Sequence, residues 1–218
     1  MIDAMGGCVV RSLGRTDYAA TWHAMRAFTD ARDENTRDEI WLTEHAPVYT
    51  LGLAGRREHL LRDNRIPVLQ VDRGGQVTYH GPGQLVMYVL CDLRRRRMGV
   101  RELVRRIEGG VIKSLASCGI DAHGDVAAPG VYVRGNDGCD AKIAALGLKI
   151  RRGCSYHGVA VNIDMDLAPF HDIDPCGYPG LAVTQLAAFG VRLSVDGAGR
   201  AFAPLLVDAL AAVRSVAQ

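Results

Sequence analysis

Strand-like segments outnumber helical ones in this chain, and this imbalance most constrains its fold. Seven segments read as extended, and several of them alternate apolar and polar residues, which is the period of a strand. They are CVVRSL, EIWLTEHAPVYTLG, IPVLQV, LVMYVLCDL, GVYVR, KIAALGLKI and HGVAVNIDM. Helical segments do not alternate strictly with them. We therefore expect an α+β fold, a mixed β-sheet packed by helices on one side or at the flanks, and not a doubly wound parallel sheet.

Three segments have the helical period. The first is predicted to begin after Thr16 as N-cap, and the second to run from about Val100 to Cys118, with Gly119 just past its end. The third closes the chain, with Pro204 expected in its first turn. The apolar positions are Tyr18, Trp22, Met25 and Phe28 or Thr29 in the first, Leu103, Ile107, Val111 and Leu115 in the second, and Phe202, Leu205, Leu206, Leu210 and Val213 in the third.

The segment GVYVRGNDGCDAKIAAL is predicted to form a β-hairpin closed by the cluster Gly135, Asn136, Asp137 and Gly138. The chain has 218 residues, of which 48% are hydrophobic, and it contains no linker, internal repeat or low-complexity segment. We therefore expect residues 1–218 to form one domain.

Charge and hydropathy narrow the class of protein. The 26 basic and 24 acidic residues nearly cancel, so the chain lacks the strong positive field of a nucleic-acid-binding protein. The arginine run at residues 94–97 is either a solvated face or a docking surface for an acidic protein partner. No apolar stretch has the length of a signal peptide or a membrane span, and six scattered cysteines suit a reducing compartment. These features predict a soluble, cytoplasmic protein with reduced thiols.

The stretch DRGGQVTYHGPGQL, residues 72–85, packs four glycines, a proline and a histidine between apolar segments. It lacks the Gly-Lys-Ser/Thr ending of a phosphate-binding loop, and also the third glycine and following helix of a dinucleotide fingerprint. A metal site is disfavoured too, because there is no Cys-x-x-Cys and the nearest grouping, Cys154 with His157, lacks further ligands. We expect neither a metal nor a cofactor.

Two residues are candidates for catalysis. Cys176 lies in DIDPCGYPG, where the flanking proline and glycines predict a fixed turn, so it is either an incidental loop cysteine or a nucleophile. Lys142 begins a predicted strand and would share an apolar face with Ala144 and Leu146. It either reaches solvent or forms a partly desolvated ammonium that can exchange protons with a thiol. His80 and His157 are candidates for lining a site.

Four segments together resemble one enzyme family. They are RGGQVTYHGPGQLV (residues 73–86), AKIAALGLKI (141–150), SYHGVAVNIDMDLAPFHDIDPCG (155–177) and EHAPVYTLG (44–52). They are similar to segments of the octanoyl-acyl-carrier-protein:protein octanoyltransferases, also called lipoyl(octanoyl) transferases. The similarity extends along nearly the whole chain and is weakest in the first 15 and last 30 residues.

The resemblance implies the fold of lipoate ligases and of the catalytic domain of biotin ligases. It implies transfer of an octanoyl group from octanoyl-acyl carrier protein to a lysine of lipoyl domains in 2-oxoacid dehydrogenases and the glycine cleavage H protein. Cys176 matches the family's acyl-accepting nucleophile, and Lys142 matches the lysine that activates it. The positions that match substrate-binding segments, or that line the site beside them, are Arg73, Gly74, Gly75, Gln76, Val77, Thr78, Tyr79, His80, Ala145, Leu146, Gly147, His157, Gly158, Val159 and Ala160.

Two alternatives remain at this point. A lipoate- or biotin-protein ligase of the same fold would use ATP and would not require a cysteine nucleophile. A non-catalytic protein would bind acyl carrier protein or RNA through its arginines. Transfer from octanoyl-acyl carrier protein through a thioester on Cys176 is the leading hypothesis.

Overall fold

The computed structural model describes residues 2–5, 7–135 and 138–211, without the side chains of residues 2–5 and of Cys176. The strands are β1 (Ile2–Met5), β2 (Cys8–Thr16), β3 (Asp38–His45), β4 (Val48–Leu51), β5 (Val68–Gln70), β6 (Val77–His80), β7 (Gln84–Leu90), β8 (His123–Gly124), β9 (Gly130–Arg134), β10 (Asp140–Arg151) and β11 (Cys154–Asn162). The α-helices are α1 (Tyr18–Asp30), α2 (Val100–Ser117) and α3 (Val195–Ala211). Short 3-10 helices cover Arg57–His59, Ala168–Asp172, Pro175–Gly177 and Leu186–Phe189.

The strands form two sheets. The larger has the order β1-β2-β3-β7-β11-β10-β9-β8, and the smaller has the order β5-β4-β6. Parallel pairing occurs between β2 and β3 and between β4 and β5, while the remaining described pairs are antiparallel. The predicted mixed sheet is therefore confirmed. Among the described helices, none combines the length and apolar character needed to span a bilayer.

Helices cover both faces of the larger sheet. Leu103 and Leu206, from α2 and α3, pack with Met87 into the main core, while Met25 of α1 packs against Tyr88 on the opposite face. The expectation of helices on one side or at the flanks was therefore wrong in part. The reason lies in β7, whose residues are all buried, because a strand with apolar side chains on both faces must be covered on both.

The helix boundaries confirm one prediction and correct two. α2 ends next to Gly119, which has φ +78°, as the sequence predicted. The N-cap of α1 is Asp17 and not Thr16, since Asp17 Oδ1 accepts a hydrogen bond from the Ala20 N–H at 2.8 Å. Pro204 lies inside α3, because the helix begins at Val195.

The early start of α3 runs against its sequence, which contains two glycines before Pro204. Tertiary packing compensates for this, because a Cβ at Gly199 would lie only 3.3 Å from Leu42 Cδ1 of the sheet. Val213, expected on the same helix, lies outside the described residues.

The β9–β10 hairpin is confirmed, with Arg134 opposite Asp140, although Asn136 and Asp137 of its turn lie outside the described residues. The register shifts between Lys142 and Ala144, which is a β-bulge. The expected alternation therefore fails there, because Ile143 and Ala144 both enter the main core. Lys142 is itself only 3% exposed.

Two of the four arginines in residues 94–97 form ion pairs with a buried carboxylate within the fold. Arg95 and Arg96 donate to the buried Asp38 at 2.6 and 2.5 Å, and Arg32 donates to it at 2.5 Å. Neither sequence interpretation, a solvated face or a docking surface, describes these two arginines. They neutralise a carboxylate at the start of β3.

Candidate active site

A cavity lies on the α1 face of the larger sheet, partly roofed by β6 and the glycine-rich stretch. Its floor consists of two rows of paired residues, Gly147–Gly158–Tyr88 and Ala145–Ala160–Val86, each crossing β10, β11 and β7. Two strand spacings span roughly 10 Å. An extended eight-carbon chain, with seven bonds of about 1.5 Å in a zigzag, is about 9 Å long. The cavity therefore suits a short alkyl chain laid across the strands.

Small residues bring the roof close to the floor. A Cβ at Gly147 would lie 2.9 Å from the Gly74 carbonyl oxygen, so a larger side chain would push the roof away. The Gly74 N–H donates to the Leu148 carbonyl at 2.8 Å, which ties the glycine-rich stretch to β10. Gly75 has φ +86°, a conformation that favours glycine.

The buried Arg73 side chain donates hydrogen bonds to backbone carbonyls in and beside this stretch. It is 8% exposed, and its Nη2 donates to the carbonyls of Thr50 and Gln76 at 2.6 and 2.8 Å. Its Nη1 donates to the Gly74 carbonyl at 2.9 Å. The guanidinium therefore organises the roof of the cavity through several carbonyl groups.

A second, open groove adjoins the cavity. The two share Gly75, Gln76, Leu146 and Gly147, which we call the mouth. Lys142 and Tyr178 line the groove and not the cavity. A largely apolar cavity therefore adjoins a groove that contains a buried lysine.

Backbone hydrogen bonds to a distant segment hold Lys142 in position. The Lys142 N–H donates to the Ala182 carbonyl at 2.8 Å, and its own carbonyl accepts from the Thr184 N–H at 3.0 Å. The Lys142 Nζ lies 5.0 Å from the centroid of the Tyr132 ring, a favourable cation–π geometry. The bulge in β10 and these backbone bonds place the ammonium at the groove.

The turn that carries Cys176 packs against the mouth. Pro175–Gly177 forms a 3-10 helix, in which the Gly177 N–H donates to the Asp174 carbonyl at 2.9 Å. Gly177 has φ +75°, and a Cβ there would lie 3.3 Å from Gln76 Cγ. The fixed turn predicted for Cys176 is confirmed, while its side chain lies outside the described part of the structure.

Buried histidines line the inner cavity. His80 is 6% exposed, and burial lowers its pKa to about 3. His157 is 1% exposed, and burial lowers its pKa despite a 3.0 Å hydrogen bond between Nε2 and Asp72 Oδ1. His157 has φ +61°, which is not the backbone conformation of a regular strand residue.

Asp72 is the negatively charged residue that contacts His157. Burial by itself would raise its pKa, but hydrogen bonds from His157, Tyr156 and Trp22 outweigh burial and hold the pKa well below its usual value. The Tyr156 hydroxyl and the Trp22 Nε1 donate to it at 2.5 and 2.8 Å. The sequence analysis did not recognise Asp72, Tyr156 or Trp22 as part of the site.

Most of the residues expected to bind substrate meet at this cavity. Those that line it are Arg73, Gly75, Gln76, Val77, Thr78, His80, Ala145, Leu146, Gly147, His157, Gly158, Val159 and Ala160. Gly74 lines the groove instead. Tyr79 was also expected to bind substrate, but it does not line the cavity. Side chains alternate along β6, and Tyr79 packs on Tyr49 and Phe170 instead.

The sequence did not reveal three further lining residues, namely Tyr18, Val86 and Tyr88. They lie in an amphipathic helix and a buried strand, as core residues typically do. No sequence signal therefore distinguished these lining residues from ordinary core residues. Within residues 2–5, 7–135 and 138–211, no three His, Cys, Asp or Glu side chains are grouped to hold a metal.

Comparisons with known proteins identify the family of this chain. Residues 17–204 match the model of the lipoyl protein ligase A/B catalytic domain. An octanoyltransferase of Chromobacterium violaceum is 58% identical over 198 residues, covering 91% of this chain and 93% of that protein. An octanoyltransferase of Thiobacillus denitrificans is 58% identical over 202 residues, covering 93% and 88%.

Solved structures share the fold at low identity. A bipartite lipoate protein ligase from Thermoplasma acidophilum superposes with a TM-score of 0.73 at 18% identity, covering 92% of this chain and 82% of that one. A biotin protein ligase from Aquifex aeolicus superposes with a TM-score of 0.58 at 10% identity, covering 94% and 71%. This protein therefore belongs to the lipoyl protein ligase A/B catalytic domain family and, within it, to the octanoyltransferases.

Proposed function

We propose that the protein transfers an octanoyl group from octanoyl-acyl carrier protein to a specific lysine of a lipoyl domain, through a thioester on Cys176. One observation carries the proposal: a largely apolar cavity, whose floor is about as long as an eight-carbon chain, shares the mouth residues with the groove that contains Lys142. The Pro175–Gly177 turn packs at the same mouth. An acyl chain in the cavity would present its thioester carbon there.

The first step exchanges one thioester for another. The Cys176 thiolate attacks the acyl carbon, the new carbon–sulfur bond forms, and the bond to the carrier sulfur breaks. The proton that Cys176 loses goes to Lys142 and then to the departing carrier thiolate. The exchange of equivalent bonds needs no nucleotide. This separates the reaction from that of an ATP-dependent ligase of the same fold.

The second step forms the amide. The lysine amine of the lipoyl domain attacks the Cys176 thioester, the carbon–nitrogen bond forms, and the Cys176 thiolate leaves. Lys142 takes the proton from the amine, as a general base. The groove lined by Lys142 and Tyr178 is open to solvent, so both protein substrates can reach the mouth in turn.

The partners follow from this chemistry. We propose octanoyl-acyl carrier protein as donor, and as acceptors the lipoyl domains of 2-oxoacid dehydrogenases and the glycine cleavage H protein. Residues 1–218 would act as a single catalytic domain in the cytoplasm, without a metal or a cofactor.

Mass spectrometry tests the proposal directly. After incubation with octanoyl-acyl carrier protein and no ATP, we expect one octanoyl adduct on the wild-type protein and none on Cys176→Ala. Cys139→Ala, which alters an exposed cysteine elsewhere in the chain, is the control and should acquire the adduct normally. An unmodified wild type, or the same adduct on Cys176→Ala, would contradict the mechanism.

A second prediction concerns chain length. Ala145 lies in the cavity floor, so Ala145→Val should fill part of the space needed by the chain and reduce octanoyl transfer about tenfold relative to hexanoyl transfer. The ratio of the two rates is measured with both donors. Ala141→Val, on the same strand but outside the cavity, should leave the ratio unchanged. An unaltered ratio in Ala145→Val would place the chain elsewhere.

A further inference from the structure

Glu108 is a buried carboxylate on α2, the helix whose first two turns line the groove that contains Lys142. The other acidic residue of this helix, Glu102, forms ion pairs with two arginines of the same helix. Glu108 instead accepts a hydrogen bond from the Gly130 N–H at 2.9 Å. A buried charge is costly, so its position in the fold requires a compensating interaction.

Gly130 lies between Glu108 and Lys142. It has φ +149°, a backbone conformation that favours glycine. A Cβ at this position would lie 3.1 Å from Lys142 Cε and 3.3 Å from Lys142 Nζ. The end of the lysine side chain therefore packs directly on the residue whose N–H group the carboxylate binds.

The two side chains are close enough to interact electrostatically. The contacts with Gly130 place Glu108 Oε1 within about 9 Å of Lys142 Nζ, because covalent geometry fixes the size of the residue between them. Glu108 and Lys142 are 9% and 3% exposed, so water screens their attraction only weakly. Burial raises the pKa of Glu108, although the hydrogen bond from Gly130 and the charge of Lys142 act in the opposite direction. Because such coupling is reciprocal, the carboxylate favours the ammonium form of Lys142.

Other titratable groups lie on the elements around Lys142, and among them Glu108 is the buried carboxylate. Two are exposed or half-exposed carboxylates, Asp125 after β8 and Asp140 on β10, and Asp140 is paired with His123 and Arg134. Two are phenols, Tyr132 on β9 and Tyr178 at the groove. The Tyr132 hydroxyl donates to the Ala128 carbonyl at 2.7 Å. Cys176, in the turn at the mouth, is the proposed proton donor to Lys142.

We propose that Glu108 is a positioning residue that acts through Lys142, because its carboxylate stabilises the ammonium form and fixes the Gly130 backbone on which the lysine packs. The inference rests on the proposed role of Lys142 and adds a residue that controls it. Burial penalises the charged form of a lysine and so weakens it as a base. The buried negative charge gives Lys142 the proton affinity to accept a proton from a thiol and then from an amine.

An NMR titration without substrate tests the electrostatic part. The lysines of the chain are Lys113, Lys142 and Lys149, so protein labelled with ¹³C at lysine Cε gives a simple spectrum in which the other two serve as internal references. Glu108→Gln keeps an oxygen that can accept from the Gly130 N–H but removes the charge. We expect this change to lower the pKa of Lys142 by about one unit.

Glu102→Gln is the matched control, because it removes a carboxylate of the same helix that is paired with Arg105 and Arg106. It should leave the pKa of Lys142 unchanged. A Lys142 pKa that is the same in Glu108→Gln as in wild type would overturn the proposal. An equal decrease in Glu102→Gln would overturn it too, since the effect would then not be specific to Glu108.

The reverse measurement decides the matter if Glu108→Gln does not fold. Lys142→Met removes the positive charge and keeps a side chain of similar length. The pKa of Glu108, followed by NMR of protein labelled with ¹³C at glutamate Cδ, should then rise by the same amount, because coupling between two sites is reciprocal. A Glu108 pKa that does not change in Lys142→Met would overturn the proposal.

The reaction supplies a further readout that a purely structural role would not move. Release of the octanoyl adduct from Cys176 to the lipoyl domain, measured in single turnovers, should begin to rise at a lower pH in Glu108→Gln, because the base loses its proton earlier. The same pH profile as wild type would remove Glu108 from the reaction. The proposed function fails separately, if wild type forms no adduct, because the titrations use no substrate.

Discussion

Lys142→Arg is expected to slow transfer of octanoyl to the lipoyl domain by about 10²- to 10⁴-fold, which is the usual contribution of a general base. Arginine keeps the positive charge but does not lose its proton near neutral pH, so it cannot accept the proton of the attacking amine. The site offers little room as well, because a Cβ at Gly130 would lie only 3.1 Å from Lys142 Cε.

Separating the two steps distinguishes lost base catalysis from lost structure. The octanoyl adduct on Cys176 should still form in Lys142→Arg, because a nearby cation favours the thiolate and the thiol proton can pass through solvent instead of residue 142. Its release to the lipoyl-domain lysine, measured in a single turnover, should then be slow. Lys149→Arg, on the same strand but outside the cavity and the groove, is the matched control and should behave as wild type. Release within tenfold of the wild-type rate in Lys142→Arg would remove Lys142 from the role of base.

Asp38→Asn is expected to lower the free energy of unfolding by about 3 to 5 kcal/mol at neutral pH, which is typical when one partner of a buried ion pair is removed. Asp38 and Arg32 have side chains only 3% and 4% exposed, and Arg96 is 16% exposed. The change would leave these guanidinium groups without a compensating charge. Urea unfolding at pH 7 measures the effect.

The stability difference between wild type and Asp38→Asn should change with pH in one direction. Burial alone would raise the pKa of Asp38, but hydrogen bonds from the Asp92 N–H and Arg96, with the charges of Arg96 and Arg32, outweigh burial and lower the net pKa. The carboxylate therefore stabilises the fold above its unfolded pKa of about 3.9, and this stabilisation is lost as pH falls through the lower folded value.

The difference in stability between wild type and Asp38→Asn should accordingly shrink as the pH falls from 7 toward 3. Asp30→Asn, which removes an exposed ion pair with Arg151, is the control and should change stability only slightly at either pH. A difference that stays constant with pH, or that is absent at pH 7, would contradict the account of the Asp38 cluster.

The sequence predicted local structure correctly where one physical preference dominates. In α2, Leu103, Ile107, Val111 and Leu115 are fully buried, as their helical spacing required, and Gly119 adopts the left-handed conformation after the helix. The long strands follow from their apolar patterns in the same way. β6 was missed because only Val77–His80 is extended, inside a stretch dominated by glycine and proline.

Other features depend on contacts between distant segments. Tyr18 and Tyr79 are both aromatic residues of amphipathic or alternating segments, yet Tyr18 lines the cavity and Tyr79 packs away from it. Packing between distant segments decides this, because Tyr18 stacks on His80 and Tyr79 packs on Phe170. The positions of the Arg95 and Arg96 side chains likewise depend on Asp38, which lies more than fifty residues earlier in the chain.

The sequence by itself determined the mixed α+β class, the amphipathic faces of the helices and, through four family segments, the residues that meet at the site. Those properties depend on periodicity and on motifs that are local in the chain. Only the tertiary structure decided the bulge that buries Lys142, the contact between its groove and the neighbouring cavity, and the burial of His80 and His157 in that cavity. These arise from strand register and from hydrogen bonds between residues far apart in sequence, and local patterns contain no information about either.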